Sequence, residues 1–337
     1  MKIVLCYPVE PKHLEWISAA APGAEVVNAG QERIAEEIVS ADVYCGHAKR
    51  PISWREVVDA GRLRWIQSSA AGVDHCLSPE IIESDVLVTS ASGVLANQVA
   101  EHALALTGAL CRGFPTFWEA QRKKEFIRRP TRDLHGSTAG IIGFGGVGRR
   151  IAELLSAYGV RILATDYFPV DQPDHVESLW PADQLGPLLA ASDLVFLAAP
   201  LTAETRGMIN AEALSLMKPD AFLMNVARGP LVVEADLVAA LRSGTLAGAA
   251  LDVTEQEPLP ESSLLWDLPN VIITPHVAGQ SARRIDDMTR FFCDNLHRDR
   301  QRENLRNVVD KQLGFAPPHP LPITAHRTAQ VFNQKNF

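Results

Sequence analysis

The stretch "IIGFGGVGRRIAELL", residues 141–155, restricts the fold of this chain more than any other. Gly143, Gly145 and Gly148 stand in the spacing GxGxxG, directly after an apolar strand-like run and directly before a helix-like run. Glycines at these places permit a tight turn and let the backbone at a helix N-terminus approach a negatively charged pyrophosphate. The stretch therefore predicts a strand, turn and helix of a parallel sheet with a dinucleotide site.

Apolar runs of strand length alternate with polar, helix-length segments on both sides of this stretch. The earlier runs are "KIVLCYP", "AEVVNAG", "ADVYCGH", "LRWIQSSA" and "DVLVTSAS"; the later ones are "VRILATD", "SDLVFLAAP", "AFLMNVA", "LAGAALDV" and "NVIITP". Such alternation is typical of βαβ units, and strands this apolar are covered on both faces of their sheet. We therefore predict an α/β fold with two doubly wound parallel-sheet domains and an interdomain cleft.

Two long segments have helical spacing. Residues 96–125 carry apolar side chains at this spacing, and we predict a long helix there that bends or breaks near Gly113 and Pro115. Residues 281–312 also predict a helix, with no strand after it. The proline-rich tail beyond Gly314 fits either an arm lying on a neighbouring surface or a disordered segment.

Charge and composition exclude several classes of partner. The formal net charge is -8 and the isoelectric point is about 5.7, whereas nucleic acids and anionic membranes require a cationic surface. No apolar stretch is long enough to span a membrane, and the N-terminus turns polar too soon for a signal peptide, so we expect a cytoplasmic protein. Five scattered cysteines without a CxxC pair predict reduced thiols and no metal site.

One acidic residue bears on the choice of cofactor. The run "VRILATD" ends in Asp166, 23 residues after Gly143, where a carboxylate can accept hydrogen bonds from the hydroxyls of an adenosine ribose. A carboxylate there would repel a 2′-phosphate, and no arginine follows in "DYFPVDQ". The sequence therefore favours NAD over NADP.

Three segments of the second half place polar residues where parallel strands end. They are "NVARGP" with Arg228, "ALDVTEQEP" with Asp252 and Glu257, and "ITPHVAG" with His276. Because parallel strands end at one edge of a sheet, these side chains should converge on one crevice with the glycine turn. An arginine can hold an anionic substrate, an imidazole can transfer a proton, and a carboxylate can stabilise the imidazolium.

The order of the motifs resembles that of the D-isomer-specific 2-hydroxyacid dehydrogenases, from about residue 40 to residue 312. The motifs that carry the resemblance are "SSAAGVDH", "NQVAEHALAL", "GIIGFGGVGRR", "PLTAETRGMIN", "MNVARGPLV", "GAALDVTEQEPLP", "VIITPHVAG" and the closing "LRNVVD". So many motifs in order are specific for the family and far less specific for the substrate.

The resemblance implies an NAD-dependent reductase of short 2-oxo acids, such as glyoxylate, hydroxypyruvate or pyruvate, that gives D-2-hydroxy acids. His276 would donate a proton to the carbonyl oxygen and take it back in the oxidative direction. Glu257 would hydrogen-bond the imidazole and favour its protonated form. Arg228 would bind the substrate carboxylate and the keto oxygen.

Further positions follow from the same resemblance. The backbone amides of Ala71 and Gly72 would cradle the substrate carboxylate, and Asn97 matches a substrate-binding position near the interdomain hinge. Asp252 would contact the nicotinamide carboxamide or ribose. The full set of implied cofactor contacts is Gly143, Gly145, Gly146, Val147, Gly148, Asp166, Ala199, Pro200, Thr205, Ala227 and Asp252.

The same resemblance also implies a domain arrangement. The substrate domain would be discontinuous, residues 1–97 with 281–337, and the dinucleotide-binding domain would span 98–280. That domain would form a homodimer through the long helix and nearby segments. The aromatic side chains of Phe114, Phe117 and Trp118 fit such an interface and fit an intramolecular core equally well.

Other interpretations stay open. We take His47 and His75 as ordinary loop histidines and His102 as a packing residue on the long helix. Lys49 and Arg50 could meet a phosphate, which makes 3-phosphoglycerate dehydrogenase an alternative within the family. A cofactor-sensing binding protein, similar to corepressor relatives that keep the fold, is the alternative from another class.

Overall fold

The computed structural model of this chain describes residues 1–168 and 170–318. The chain divides into two compact units. The first unit consists of Met1–Val94 together with the described residues that follow Ser281, and the second unit is Leu95–Ser281. The sequence places these boundaries at 97/98 and 280/281.

Twelve strands are present within the described residues, most of them four or five residues long. They are β1 (Lys2–Cys6), β2 (Glu25–Asn28), β3 (Val43–Gly46), β4 (Trp65–Ser68), β5 (Leu87–Thr89), β6 (Thr138–Ile142), β7 (Arg161–Asp166), β8 (Ser178–Pro181), β9 (Leu194–Leu197), β10 (Phe222–Asn225), β11 (Gly248–Leu251) and β12 (Val271–Ile273).

The described residues also form eleven α-helices. They are α1 (Pro11–Ala20), α2 (Gly30–Glu37), α3 (Trp54–Asp59), α4 (Pro79–Glu83), α5 (Ala96–Cys111), α6 (Phe114–Lys123), α7 (Gly146–Ser156), α8 (Leu185–Ala191), α9 (Ala211–Leu216), α10 (Glu234–Ser243) and α11 (Arg284–Gln301). Short 3-10 turns occur at Ile38–Ser40, Ala182–Gln184, Gly229–Leu231 and Leu264–Asp267.

The first unit is built on a five-stranded sheet in the order β2-β1-β3-β4-β5, and every pairing between these strands is parallel. This is the flavodoxin-like order of doubly wound proteins. Strands β3 and β4 are buried along their whole length, as expected for strands with helices on both faces of the sheet. The predicted strands of the first hundred residues are all present.

The second unit is built on a seven-stranded parallel sheet in the order β12-β11-β10-β9-β6-β7-β8. Counted from β6, this is the order of a Rossmann fold, in which β6 and β9 flank the point where the winding reverses. The prediction of two doubly wound parallel sheets is confirmed. The sequence missed β8, a four-residue edge strand that is only half-buried and therefore lacks an apolar run.

The long helical segment breaks where the glycine and proline indicated. Helix α5 ends at Cys111, and Gly113 takes a left-handed conformation with a φ of 68°. Pro115 then lies in the first turn of α6, where its missing N–H leaves no helical hydrogen bond unmade. Leu106 and Leu110 are buried on the core side of α5, so the helical spacing of its apolar residues was interpreted correctly.

The prediction of a helix over 281–312 was wrong in its last third. Helix α11 ends at Gln301, and Arg302 then adopts a left-handed φ of 58°. The backbone after it runs beside β5, where the amide of Val309 donates to the carbonyl of Val88. The apolar residues of this segment are buried by that packing. Their spacing resembles that of a helix, which is why the sequence predicted one. The prediction of an arm or a disordered segment beyond Gly314 falls mainly on residues 319–337, outside the described residues.

The cysteines behave as small apolar residues. All five are free, and four of them are buried. Burial raises the pKa of the Cys6 and Cys111 thiols to about 11, which leaves them protonated at neutral pH. Within residues 1–168 and 170–318, none of the helices combines the length and the apolar composition that crossing a membrane requires.

Candidate active site

Three neighbouring strands of the second unit end beside one another and carry the predicted polar residues. Strand β11 lies between β10 and β12, and all three run parallel. Arg228 follows the end of β10, Asp252 directly follows β11, and His276 follows β12. The amide of Asp252 donates to the carbonyl of Asn225 at 3.0 Å, which ties the first two of these ends together. Arg228, Asp252 and His276 therefore follow the carboxyl ends of three neighbouring parallel strands.

His276 and Glu257 form a hydrogen-bonded pair. The imidazole Nδ1 lies 2.7 Å from Glu257 Oε2, and the two side chains are 50% and 37% exposed. The other carboxylate oxygen, Oε1, accepts a hydrogen bond from the amide of Thr254 at 3.3 Å, so the carboxylate is held from both sides. With Nδ1 occupied by Glu257, the Nε2 atom is the one available for exchange of a proton with another molecule.

Arg228 is held by its own loop. Its guanidinium donates to the carbonyl of Ala227 at 2.8 Å, and the amide side chain of Asn225 bridges the loop by donating to the carbonyl of Arg228 at 3.0 Å. Gly229 allows this loop to touch the segment that carries Glu257. A Cβ at Gly229 would lie 1.8 Å from the carbonyl oxygen of Thr254, closer than any side chain permits.

Asp252 is a buried carboxylate that braces the histidine loop. Its Oδ1 accepts from the hydroxyl of Thr274 at 2.6 Å and from the amide of Val277 at 2.9 Å, and its Oδ2 accepts from the amide of Ala278 at 2.9 Å. Burial opposes ionisation, but the hydrogen bonds from His102, Thr274 and the two amides outweigh it and lower the pKa of Asp252 to about 2. The side chain is therefore ionised at neutral pH.

The three glycines of the turn after β6 serve different steric needs. Gly143 has a φ of 92°, and a Cβ there would lie 2.6 Å from the amide nitrogen of Ala199 at the end of the neighbouring strand β9. A Cβ at Gly148 would lie 2.1 Å from the carbonyl oxygen of Gly143. Gly145 instead faces open space, with no atom within 4 Å of a Cβ placed there. The first and third glycines thus serve the fold, and the second leaves room for a ligand.

The open space at Gly145 fits a dinucleotide pyrophosphate. Helix α7 begins at Gly146 and has no side-chain cap, so the amides of Gly146, Val147 and Gly148 have no capping side chain as their acceptor. Uncapped helix amides behind a glycine that admits a ligand are a suitable site for phosphate oxygens. Asp166 ends β7, and its carboxylate accepts from the amide of Phe144 at 2.6 Å, which ties it to the glycine turn.

The remaining predicted cofactor residues lie on loops at the same edge of the second sheet. Ala199 and Pro200 follow β9, and the hydroxyl of Thr205 donates to the carbonyl of Pro200 at 2.8 Å, which closes that loop. Ala227 precedes Arg228, and its amide donates to the side chain of Asn225 at 3.1 Å. These residues thus share an edge with the glycine turn.

The predicted substrate-binding residues are divided between the two units. Ala71 and Gly72 belong to the first unit, directly after β4, whereas Asn97 lies in the first turn of α5 in the second unit. The hydroxyl of Ser68 shapes the loop that contains Ala71 and Gly72. It accepts from the amide of Ala70 at 3.0 Å and lies 3.3 Å from the carbonyl oxygen of Gly72.

Sequence reasoning missed three residues of this site. Asn225 bridges the arginine loop, Thr274 donates to Asp252, and His102, interpreted from the sequence as a packing residue, lies 2.9 Å from the hydroxyl of Thr274. Asn225 and Thr274 stand within the quoted motifs "MNVARGPLV" and "VIITPHVAG", so the motifs themselves were the available signal.

The second unit is a Rossmann sheet with a glycine turn suited to a dinucleotide. An arginine and an imidazole–carboxylate pair follow strand ends at the same edge of that sheet. This combination defines a nicotinamide-dependent oxidoreductase. Residues 104–278 match the model of the NAD binding domain of the D-isomer specific 2-hydroxyacid dehydrogenases. The chain belongs to this family and is a 2-hydroxyacid dehydrogenase.

Two relatives with assigned activities cover most of this chain. A glyoxylate reductase from Thermofilum pendens is 37% identical over 72% of this chain and 73% of its own length. A glycerate dehydrogenase from Methylorubrum extorquens is 34% identical over 79% of this chain and 84% of its own length.

Solved structures extend the similarity to nearly the whole chain. A D-isomer specific 2-hydroxyacid dehydrogenase from Xanthobacter autotrophicus, in complex with NADPH and MES, has a TM-score of 0.81 and 31% identity, and covers 93% of this chain and 99% of its own. An NADPH-dependent glyoxylate/hydroxypyruvate reductase from Sinorhizobium meliloti has a TM-score of 0.80 and 27% identity over the same shares of the two chains.

Proposed function

We propose that this protein is an NAD-dependent oxidoreductase that reduces a short 2-oxo acid of the glyoxylate, hydroxypyruvate or pyruvate type to the D-2-hydroxy acid. The observation that carries the proposal is the 2.7 Å contact between His276 and Glu257, at the same sheet edge as Arg228 and the glycine turn. The glyoxylate reductase of Thermofilum pendens and the glyoxylate/hydroxypyruvate reductase of Sinorhizobium meliloti support the same class of substrate.

His276 is the proposed proton donor and acceptor. The bound nicotinamide supplies the hydride in reduction and accepts it in oxidation. As the carbonyl carbon gains the hydride, the carbonyl oxygen takes a proton from Nε2 of His276. Glu257 stabilises the positive charge of the protonated imidazole through the Nδ1 hydrogen bond and keeps Nε2 directed away from itself. In the oxidative direction, Nε2 takes the proton back from the hydroxyl group.

Arg228 is the proposed anchor of the substrate. A guanidinium group is planar and can bind a carboxylate through two parallel hydrogen bonds, which fixes the face that the carbonyl presents. The hydrogen bond to the carbonyl of Ala227 sets the plane of this guanidinium before a substrate arrives. A contact to the keto oxygen would also stabilise the negative charge that develops there as the hydride arrives.

The proposed cofactor is NAD rather than NADP. Asp166 supports this choice because its carboxylate ends β7 and is tied to the glycine turn, where it would accept hydrogen bonds from ribose hydroxyls and repel a 2′-phosphate. The Xanthobacter autotrophicus structure is a complex with NADPH and the Sinorhizobium meliloti enzyme is NADPH-dependent, so the choice of NAD rests on Asp166 and not on these two proteins.

Several assignments remain predictions from the family resemblance. They are the carboxylate-binding amides of Ala71 and Gly72, the substrate-binding role of Asn97 and the cofactor contact of Asp252. The cytoplasmic location stays a prediction from the N-terminal sequence and the apolar pattern. Asp252 is 2% exposed and its carboxylate accepts several hydrogen bonds from the histidine loop, so we propose that it serves the site first as a brace.

A homodimer through the second unit is part of the proposal. Phe114 and Trp118 on α6 are 45% and 50% exposed, and Phe126 just after this helix is 93% exposed. Three large aromatic side chains this exposed on one short segment are typical of a surface covered by another protein. A second copy of this chain is the proposed partner.

Steady-state kinetics with purified protein tests the proposed function. The panel contains glyoxylate, hydroxypyruvate, pyruvate and 3-phosphohydroxypyruvate, each with NADH and with NADPH. We expect turnover of at least one of the three small acids, with NADH preferred. Preference for the phosphorylated acid would favour 3-phosphoglycerate dehydrogenase instead. Tight NADH binding without turnover of any acid would favour a cofactor-sensing binding protein and overturn the proposal.

A further inference from the structure

A chain of side-chain hydrogen bonds leads from helix α5 to the loop that carries His276. His102 Nε2 lies 2.9 Å from the hydroxyl oxygen of Thr274, and that hydroxyl lies 2.6 Å from Asp252 Oδ1. His102 Nε2 is also 3.4 Å from the same carboxylate oxygen. All of these residues belong to the second unit, and the proposed reaction does not use His102 or Thr274 directly.

The direction of the hydrogen bonds in this chain follows from counting hydrogens. Asp252 is ionised at neutral pH and can only accept, so the single hydrogen of the Thr274 hydroxyl points to the carboxylate. The hydroxyl oxygen must then accept from His102, which requires a hydrogen on Nε2 of that ring. The chain therefore runs in one direction, from the imidazole through the hydroxyl to the carboxylate.

The carboxylate at the end of this chain contacts the loop that carries His276, whose backbone has an uncommon conformation. His276 has a φ of 53°, in the left-handed region that few residues other than glycine adopt. Asp252 fixes the loop on the far side of this residue through the amides of Val277 and Ala278. Its own carbonyl accepts from the amide of His276 at 2.8 Å.

We propose that His102 is a positioning residue that holds His276 in place through Thr274 and Asp252. Losing the His102 hydrogen bond leaves Thr274 and the carboxylate one donor short and loosens the loop at 276–278. The proton donor then spends less time in the geometry that the reaction needs, whereas cofactor binding at the glycine turn is unaffected. This inference rests on the proposed function of His276.

Two matched pairs of variants test the inference in the full-length protein. His102→Leu and Thr274→Val each break the chain of hydrogen bonds with a side chain of similar volume. His102→Gln and Thr274→Ser each keep a hydrogen-bond donor at the same place. We expect kcat for the preferred 2-oxo acid to fall about tenfold in the first pair, the rate equivalent of one hydrogen bond. The second pair should keep most of the activity, and the Kd for NADH should stay within about twofold in all four.

Hydrogen exchange provides a readout that does not depend on turnover. In His102→Leu, deuterium uptake by the peptide containing residues 276–278 should become faster by about tenfold. The double variant His102→Leu/Thr274→Val should exchange no faster, and have a kcat no lower, than the more impaired of the two single variants, because both changes break the same chain of hydrogen bonds.

Distinct results separate failure of this inference from failure of the proposed function. If His102→Leu keeps the wild-type Tm, kcat and exchange rate, His102 has no positioning role. If that variant does not fold, equal kcat values for Thr274→Val and Thr274→Ser overturn the inference instead. If the wild type turns over no 2-oxo acid, the proposed function fails, and the exchange comparison still decides whether His102 holds the loop.

Discussion

Replacing Asp252 with asparagine removes a buried carboxylate without changing its size. In the native protein its two oxygens accept from the hydroxyl of Thr274 and from the amides of Val277 and Ala278. An asparagine has only one oxygen, and its NH2 group would face one of these donors. At least one buried N–H or O–H therefore loses its acceptor, and we expect the loop that carries His276 to loosen.

The size of the effect follows from the lowered pKa of this carboxyl. Its pKa falls from 3.8 to about 2 on folding. A shift of this size contributes about 2 kcal/mol to the free energy of unfolding at neutral pH. Because the folded-state pKa is the lower one, the contribution of Asp252 is complete above the unfolded-state pKa and disappears as the pH falls toward about 2.

Urea unfolding of the wild type and Asp252→Asn at several pH values measures this contribution. We expect the variant to be less stable by about 2 to 3 kcal/mol at neutral pH, with a difference that narrows once the pH falls below about 4. Glu261→Gln is the control, because it removes the same charge from an exposed side chain nearby in the sequence. A decrease in the free energy of unfolding of Asp252→Asn under about 0.5 kcal/mol, or a decrease that does not vary with pH, would refute the reasoning.

Three further predictions concern the cofactor and the assembly. Gly145→Ala should weaken NADH binding at least about tenfold in a fluorescence titration and leave the Tm unchanged. Gly148→Ala should lower the Tm, because its Cβ would lie 2.1 Å from the carbonyl oxygen of Gly143. The opposite pattern would contradict the steric roles given to these glycines. Asp166→Ser should raise the affinity for NADPH relative to NADH by about tenfold or more in the same titration, and an unchanged ratio would remove Asp166 from cofactor selection. Trp118→Glu should convert a dimer to a monomer in sedimentation velocity, and a variant that sediments like the wild type would place the interface elsewhere.

Sequence reasoning was accurate where one residue imposes a backbone conformation or where a pattern extends over a whole element. Gly113 and Pro115 broke the long helical segment where expected, because a left-handed φ and a missing N–H leave few alternatives. The ends of β10, β11 and β12 placed Arg228, Asp252 and His276 correctly relative to their strands, since parallel neighbours share one edge.

Sequence reasoning was less accurate where tertiary contacts decide the structure. The segment after Gln301 leaves its helix to run beside β5, and its apolar residues are buried by that contact. Composition alone cannot distinguish a functional role of His102 on its helix from a packing role. Its hydrogen-bond partner Thr274 is 172 positions away in the chain. The left-handed φ of His276 was likewise not expected from the sequence, and the two amides that follow it donate to the carboxylate of Asp252, which is distant in the chain.

The central claim is that His276 transfers the proton in a reaction for which the second unit binds NAD. The most direct test compares His276→Gln with the wild type in two measurements, kcat for the preferred 2-oxo acid and the Kd for NADH. We predict that kcat falls by about a hundredfold or more, as expected when a general acid is removed, while the Kd stays within about twofold. A variant that keeps the wild-type kcat would contradict the claim.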